Sequence, residues 1–184
     1  MRVHSISLGE CDFNPGYGAG RFHPFVDAGG NVVTTLYGGA DFETAVFETL
    51  LRDLYPGSMI ARSELRAYAR SIIAPKRDLR LIDLYPTGLK QLRVSARYLL
   101  QGDSSTYSTT VQWAQALHQA SSADGMIWRS RQLPGHDALT LWGDRIKGAE
   151  LHTIAGATSL RAPALCDRTI LLAINRDIIV DPND

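Results

Sequence analysis

Glu48 is the acidic residue best placed to act on a bound molecule. The run 32–37 is rich in β-branched residues, which is typical of a strand, and two glycines follow it. Asp41 then has the position and type of a helix N-cap and predicts a helix over about 42–54. Glycines between strand and helix let a ligand approach the backbone closely. For an isolated helical glutamate, pairing with the cation four positions later, here Arg52, is the commoner role.

Three further side chains have types suited to ligand binding. Tyr37 ends the predicted strand and offers an aromatic face, although core or edge packing is the usual role of such a tyrosine. Arg21 follows the glycine-rich run 18–20, where its guanidinium could lie beside phosphate oxygens, although a surface role is commoner. Ser130 lies between two arginines after a predicted strand, a position typical of a turn. No Gly-x-Ser-x-Gly sequence surrounds it, which disfavours a hydrolase-type serine nucleophile.

Several classes of site and segment are missing from the sequence. The histidines include no closely spaced ligand pair, so we expect no zinc site, and no glycine-rich motif of the Walker or dinucleotide-binding type occurs. Cys11 and Cys166 are far apart and predict free thiols in a reducing cytoplasm. No segment approaches the roughly 20 apolar residues needed to cross a membrane, and no signal-peptide-like segment follows Met1. We therefore expect a cytoplasmic protein without membrane contact.

The composition is that of a globular protein. The 184 residues, 45% of them hydrophobic, suffice for one domain with a buried core. The net charge is zero, which argues against a general nucleic-acid binder because such proteins carry a basic excess. All but three of the 19 basic residues are arginines, whose planar donors bind phosphates and carboxylates in pairs. An arginine-biased genome explains this composition equally well.

Strand and helix patterns alternate along the rest of the chain. Because the strands are short, they predict a mixed α/β domain rather than a doubly wound parallel sheet. The glycine- and proline-rich segment 9–31 predicts loops, and helices are predicted over 63–73 and about 108–120. Strands are predicted over 78–84, 125–128, 138–142, 169–174 and 177–180, the last two pairing around Asn175-Arg176.

The order and spacing of these motifs resemble the RES-domain family, which is named after an arginine, a glutamate and a serine. The resemblance spans about residues 2–146. It is carried by short segments that occur in this order: Arg2-Val3, Gly20-Arg21-Phe22, Leu36-Tyr37-Gly38-Gly39-Ala40, Glu43 to Glu48, Asp78 to Leu84, Ala114 to Leu117 and Asp124 to Ser130.

The resemblance implies a fold, an activity and a set of site residues. The fold would be a single domain with a core like that of ADP-ribosyltransferases, with a catalytic domain over 1–148 and a C-terminal extension over 149–184 packed on it. The activity would be that of a bacterial toxin that depletes NAD by hydrolysis or phosphorolysis of the nicotinamide–ribose bond. NAD would be the substrate and phosphate a co-substrate of phosphorolysis, with no cofactor and no metal. The functional residues of the family fall on Arg2, Arg21, Tyr37, Glu48 and Ser130.

Each of these residues has an expected role. Arg2 and Arg21 would bind the pyrophosphate, since paired guanidinium donors match phosphate oxygens. Glu48 would stabilise the positive charge that builds on the ribose during cleavage, or hold the ribose hydroxyls. Tyr37 would stack on nicotinamide, and Ser130 would hydrogen-bond the ribose or the amide. The resemblance thus makes Glu48, Arg21 and Ser130 the catalytic set.

The resemblance also implies a partner, an antitoxin with an Xre-type helix-turn-helix that covers the active site and carries any DNA binding. Either a hetero-oligomeric toxin–antitoxin complex or a homo-oligomer fits this interpretation. Two alternatives are an ADP-ribosyltransferase with one protein target and a non-catalytic module that binds a nucleotide or a protein. Arg62, Arg66 and Arg70 recur every four residues and could form a docking face for an acidic partner, although a solvated helix face is commoner.

Overall fold

Two sheets contain the longer strands of the protein. The computed structural model describes residues 1–181 and has a mixed α/β architecture, as the sequence predicts. Three antiparallel strands form one sheet in the order β1 (Arg2–Ser5), β6 (Tyr68–Pro75) and β10 (Leu151–Ser159). The other sheet has the order β4 (Thr35–Gly39), β9 (Asp137–Trp142), β8 (Gly125–Arg129) and β7 (Leu81–Asp83), in which only the β7–β8 pair is parallel.

Shorter strands and the helices complete the architecture. β2 (Phe25–Val26) pairs antiparallel with β3 (Val32–Val33), and β5 (Met59–Ala61) pairs in parallel with β11 (Ile179–Asp181). The α-helices are α1 (Phe42–Phe47), α2 (Pro86–Gln91), α3 (Ala96–Leu99), α4 (Tyr107–Ala120) and α5 (Pro163–Ile174). Turns of 3₁₀ helix cover Arg62–Ala67, Ser104–Thr106 and Gly148–Glu150.

Several predicted elements are confirmed with small changes at their ends. The helix predicted over 108–120 is α4, and the strands predicted over 125–128 and 138–142 are β8 and β9. The strand predicted over 78–84 is reduced to β7, and the run 32–37 is divided between β3 and β4. Segment 9–31 consists mainly of turns and loops, as predicted.

The prediction of a helix over 63–73 is wrong. Only its first part is helical, as a 3₁₀ turn, and from Tyr68 the chain is strand β6. Tertiary pairing decides this outcome, because β6 forms hydrogen bonds with β1 on one side and β10 on the other. Arg62, Arg66 and Arg70 therefore do not share a helix face, and Arg70 instead donates to the Thr158 hydroxyl at 3.4 Å.

The predicted strand pair at the C-terminal end is also wrong. Residues 169–174 belong to α5, which begins with Pro163, a residue suited to the first position of a helix because it needs no amide donor. The segment after it does form a strand, but β11 pairs with the distant β5 and not around Asn175. Helix α5 packs against α1, and β10 lies at the edge of the three-stranded sheet, so residues 149–181 contact the rest of the described chain extensively.

Helix α1 is shorter than the predicted helix over 42–54. Asp41 caps it as expected, with its carboxylate accepting the Thr44 amide at 2.8 Å. The helix ends at Phe47, and Glu48 is its C-cap. The next residue, Thr49, donates its hydroxyl to the Val3 carbonyl at 3.2 Å, a contact outside the helix that draws the chain toward β1.

The core holds the elements that support Glu48 and Ser130. One cluster of buried side chains packs α4 against β8 and β9, and its members Trp128 and Trp142 are almost inaccessible to solvent. A second cluster packs α1 against β1 and α5 around Val46. Helix α1, which precedes Glu48, and strand β8, which precedes Ser130, are thus both anchored in well-packed regions. None of the helices within residues 1–181 combines the length and the apolar character that crossing a membrane requires.

Candidate active site

The fold brings Glu48 and Ser130 into contact although 82 residues separate them. The Ser130 hydroxyl donates to Oε1 of Glu48 at 2.8 Å, where the end of α1 meets the end of β8. The same hydroxyl oxygen accepts the amides of Gln132 at 3.2 Å and Leu133 at 3.3 Å, which turn around it. Ser130 is only 3% exposed, so its hydroxyl is committed to Glu48 and to this turn. The geometry is that of a residue which orients the carboxylate.

Glu48 lines a cleft of about 360 Å³, a volume within the range of small-molecule sites. The cleft lies between β1, the loop that precedes β2, the strand β4 and the turn after α1. Its polar and aromatic lining residues are Arg2, His4, Ser5, Ser7, Asn14, Tyr17, His23, Thr35, Tyr37, Glu48, Thr49, Arg52 and Tyr68. Among the described residues that line it, Glu48 provides the only carboxylate.

Burial dominates the electrostatics of Glu48. It raises the pKa of the carboxyl group, whereas the Ser130 hydrogen bond and the nearby guanidinium groups of Arg21 and Arg131 lower it. Arg52 acts in the same direction but more weakly. A carboxylate removed from water in this way interacts strongly with positive charge that develops beside it. The site can therefore stabilise a cationic group in the cleft.

Three arginines surround Glu48 on the side of a smaller void. Arg21, Arg52 and Arg131 line this void together with Glu48, and its volume of about 10 Å³ is close to that of one water molecule. Arg131 donates to the carbonyls of Gly102 at 3.1 Å and Arg52 at 3.2 Å. The side chains of Arg21, Arg52 and Arg131 place a positive field around the Glu48 carboxylate without forming a direct ion pair with it.

The two arginines expected to bind pyrophosphate are both engaged with backbone carbonyls. Arg2 is 4% exposed, and its Nη1 donates to the carbonyls of Glu10 at 2.7 Å and Asp12 at 2.8 Å. Arg21 is 7% exposed and donates through Nη2 to the Gly102 carbonyl at 2.9 Å. Arg2 lines the cleft, whereas Arg21 lies on the smaller void beside Glu48. In both cases the guanidinium group is used to hold a loop.

Tyr37 lines the cleft with a neighbour that sequence reasoning missed, His23. The Tyr37 hydroxyl accepts the Phe22 amide at 3.1 Å and lies 3.2 Å from Nδ1 of His23. Burial raises the pKa of Tyr37 and lowers that of His23 to about 4, so both side chains are neutral at pH 7. His23 follows directly on the glycine–arginine segment at Arg21, and this adjacency is the signal that could have identified it.

Arg52 also lines the site, but it does not form the ion pair with Glu48 that helical spacing offers as an alternative. The expected pair with Glu48 requires a helix through both residues, and α1 ends before them. Arg52 instead donates through Nε to Asp53 at 3.0 Å and through Nη2 to the Ala19 carbonyl at 2.9 Å. The alternative role of Glu48, an ion pair with Arg52, is therefore not the one observed, and Glu48 accepts a hydrogen bond from Ser130 instead.

Comparison with known proteins identifies the family of the chain. A family model described as RES domain matches residues 5–163, a segment that includes Arg21, Tyr37, Glu48 and Ser130 and begins after Arg2. No curated protein matches the chain, and no solved structure matches it. Since the family model covers most of the sequence, the protein belongs to the RES-domain family, and the glutamate and serine types that help to name the family are in contact here as Glu48 and Ser130.

Proposed function

We propose that this protein cleaves the nicotinamide–ribose bond of NAD and acts as the toxin of a toxin–antitoxin pair. RES domains are known in NAD-related toxins of such systems. The observation that carries the proposal is the Glu48 carboxylate, held by Ser130 in the cleft and partly removed from water. A fixed, desolvated carboxylate suits a reaction whose transition state is more cationic at the sugar than its ground state.

In the proposed reaction the bond between the ribose C1′ and the pyridinium nitrogen breaks. Its electron pair goes to the nitrogen, so nicotinamide leaves as a neutral molecule and positive charge appears on the ribose. Glu48 stabilises that charge, and Ser130 keeps the carboxylate in place as a positioning residue. Water or phosphate then adds to C1′ and gives up a proton, which completes hydrolysis or phosphorolysis.

Two further parts of the proposal follow from family membership. The first is a core like that of ADP-ribosyltransferases, which are enzymes that act on the same bond of NAD. The second is an Xre-type antitoxin that covers the cleft and prevents NAD from entering. The aromatic side chain of Tyr17, 75% accessible, lies at the cleft that the proposed antitoxin would cover.

The direct test is to incubate the purified protein with NAD and measure free nicotinamide with and without phosphate. Release in both conditions supports hydrolysis, and release that depends on phosphate supports phosphorolysis. If nicotinamide appears in neither condition, glycohydrolase and phosphorylase activities are both rejected. Labelling of lysate proteins from tagged NAD would in that case support an ADP-ribosyltransferase.

Glu48→Gln tests the site. We expect it to reduce turnover on the order of 100-fold or more, because it removes the charge that stabilises the transition state. Burial raises the pKa of Glu48, so the ionised side chain lowers the stability of the folded protein at neutral pH. The melting temperature of Glu48→Gln should accordingly equal or exceed that of the wild type.

Glu43→Gln is the matched control because Glu43 lies on the same helix but forms an ion pair with Arg168 at the surface. It should keep wild-type turnover. Full activity of Glu48→Gln, or equal losses in the two variants, would remove Glu48 from the proposed role.

A further inference from the structure

Arg52 is a cleft cation with no role in the reaction described above. Its side chain is 26% exposed and lines the cleft together with Glu48. Two of its three nitrogens are used inside the protein, Nε by Asp53 and Nη2 by the Ala19 carbonyl. Within residues 1–181, Nη1 donates to no protein acceptor, so it is the guanidinium donor available to a ligand.

The surroundings of Arg52 hold it in a fixed orientation. Asp53 accepts Nε of Arg52 on one oxygen and the Tyr107 hydroxyl on the other, at 2.7 Å. The guanidinium group also lies over the Tyr107 ring, 5.6 Å from its centre. A cation that is already oriented loses little conformational entropy when a ligand binds. Arg52 is thus better prepared for anion binding than a free surface arginine.

Arg52 is also the more exposed of the two arginines that line the cleft, since Arg2 is only 4% exposed. The Nη1 group of Arg2 is occupied by backbone carbonyls, and Arg21 does not line the cleft. Gly18 and Ala19 line the cleft next to Arg52, and within residues 1–181 their amides donate to no protein acceptor. Free amides in a glycine-rich loop beside a guanidinium group are suited to phosphate oxygens.

We propose that Arg52, with the loop at Gly18 and Ala19, binds the diphosphate of the dinucleotide substrate. The proposal rests on the proposed function for the identity of the substrate, but its chemistry requires only a diphosphate ester in the cleft. It assigns to Arg52 the anion binding that the family resemblance gives to Arg2 and Arg21. Those two arginines then serve to hold the loops that shape the cleft.

The test measures the affinity of ADP-ribose by calorimetry for the wild type, Arg52→Gln, Arg52→Lys and the control Arg161→Gln. Arg161 is exposed and does not line the cleft. We expect Arg52→Gln to weaken binding about 10- to 100-fold, as for the loss of a hydrogen bond to a charged group. Arg52→Lys should have intermediate affinity because it keeps the charge but loses the planar donors. Arg161→Gln should bind like the wild type.

Kinetics with NAD provide the second measurement. Loss of ground-state binding raises KM and leaves kcat nearly unchanged, whereas a loosened Glu48 lowers kcat. Unchanged ADP-ribose affinity in Arg52→Gln, or a fall in kcat alone, would overturn the assignment. The melting temperature of each variant shows whether the fold is intact.

The two proposals fail in different ways. A wild-type protein that binds ADP-ribose through Arg52 but releases no nicotinamide contradicts the NAD-cleaving function and supports the diphosphate site. If the wild type cleaves NAD and Arg52→Gln binds ADP-ribose normally, the NAD-cleaving function is supported and the diphosphate site is contradicted. If the wild type neither binds ADP-ribose nor cleaves NAD, both are rejected.

Discussion

At the residue scale, the candidate site depends on how one carboxylate is held. Glu48 accepts a hydrogen bond from a neutral hydroxyl, while the guanidinium groups around it bind carbonyls and Asp53. A carboxylate in a direct, bidentate ion pair would have its charge largely neutralised before any substrate arrived. The Ser130 bond orients Glu48 and leaves most of its charge available to the cleft.

Ser130→Ala should therefore change the pH dependence of the proposed reaction as well as its rate. The Ser130 hydrogen bond lowers the pKa of Glu48, so its removal should raise that pKa further. If the ionised carboxylate is the active form, the acidic limb of the kcat profile moves to higher pH, and kcat at neutral pH falls roughly tenfold or more. The measurement is nicotinamide release across a pH series.

Ser108→Ala is the control for this change, since Ser108 is an exposed residue of α4 away from the cleft. Ser130→Thr keeps the hydroxyl and should restore part of the profile. A Ser130→Ala profile with the same acidic limb as the wild type would show that the hydroxyl does not act through Glu48.

The residue types of the site are predictable from the sequence, but their contacts are not. The motif pattern selects Glu48 and Ser130, yet helical spacing pairs Glu48 with Arg52 because it assumes a helix that continues past Phe47. The Ser130 contact joins two segments distant in the chain, which no local periodicity describes. Local periodicity likewise does not predict that Asn14 and His23 line the cleft, because the path of a long loop brings them there.

At the element scale, the connection from β4 to α1 determines where Glu48 lies. The Gly39 amide donates to the Met1 carbonyl at 2.8 Å, which joins the end of β4 to the start of β1. The chain then turns so tightly that a Cβ on Gly39 would lie 2.8 Å from the Ala45 amide nitrogen and from Thr44 Cβ. Glycine is needed here for close approach of strand and helix.

Gly39→Ala should destabilise the protein by about 1–3 kcal/mol, the usual range when a methyl group is forced into a packed region. It should also lower kcat, because the shift of α1 moves Glu48. Urea unfolding and nicotinamide release measure the two effects. Gly156→Ala is the control, since its Cβ would meet only Glu10 Oε1 at 3.4 Å. Equal stability of the two variants would show that α1 tolerates the extra methyl group.

Elements supported by local signals were predictable, and those decided by distant partners were not. Helix α4 has its own periodicity and was predicted almost to the residue. Strand β6 has neighbours on both sides that come from opposite ends of the chain, β1 and β10, and its local pattern without these partners predicts a helix. For α5, the branched and aliphatic residues suggested a strand, but Pro163 and packing against α1 give a helix.

At the scale of the whole molecule, a charged network joins segments from three parts of the chain. Arg77, between β6 and β7, donates two hydrogen bonds to Asp124 at 2.9 and 2.8 Å and one to Glu150 at 2.9 Å. Asp124 is buried directly before β8, and Glu150 lies directly before β10. The network thus connects the sheet that leads to Ser130 with the sheet that contains β1.

Asp124→Asn should lower the urea midpoint at pH 7, and the deficit should disappear in acid. The Arg77 guanidinium holds the pKa of Asp124 below its ordinary value, so the charged form favours folding. That stabilisation is present above the ordinary aspartate pKa of about 4 and is lost as pH falls through the lower pKa of the folded state. Urea unfolding at several pH values measures this.

Asp167→Asn is the corresponding control because Asp167 is an exposed residue of α5. Its midpoint should follow the wild type at every pH. A deficit of Asp124→Asn that is as large at pH 2 as at pH 7 would mean that packing, and not the charge, accounts for its effect.

The hydrogen bond between Glu48 and Ser130 also determines when the candidate site can be completed during synthesis. A ribosome makes the chain from its N-terminus, and the cleft, Arg52 and Glu48 have all emerged long before Ser130 is translated. Strand β10, which pairs with β6 and completes the sheet that contains β1, is translated later still. A nascent or prematurely terminated chain that ends before Ser130 therefore lacks the group that orients Glu48. The proposed chemistry therefore requires a chain that extends at least through Ser130.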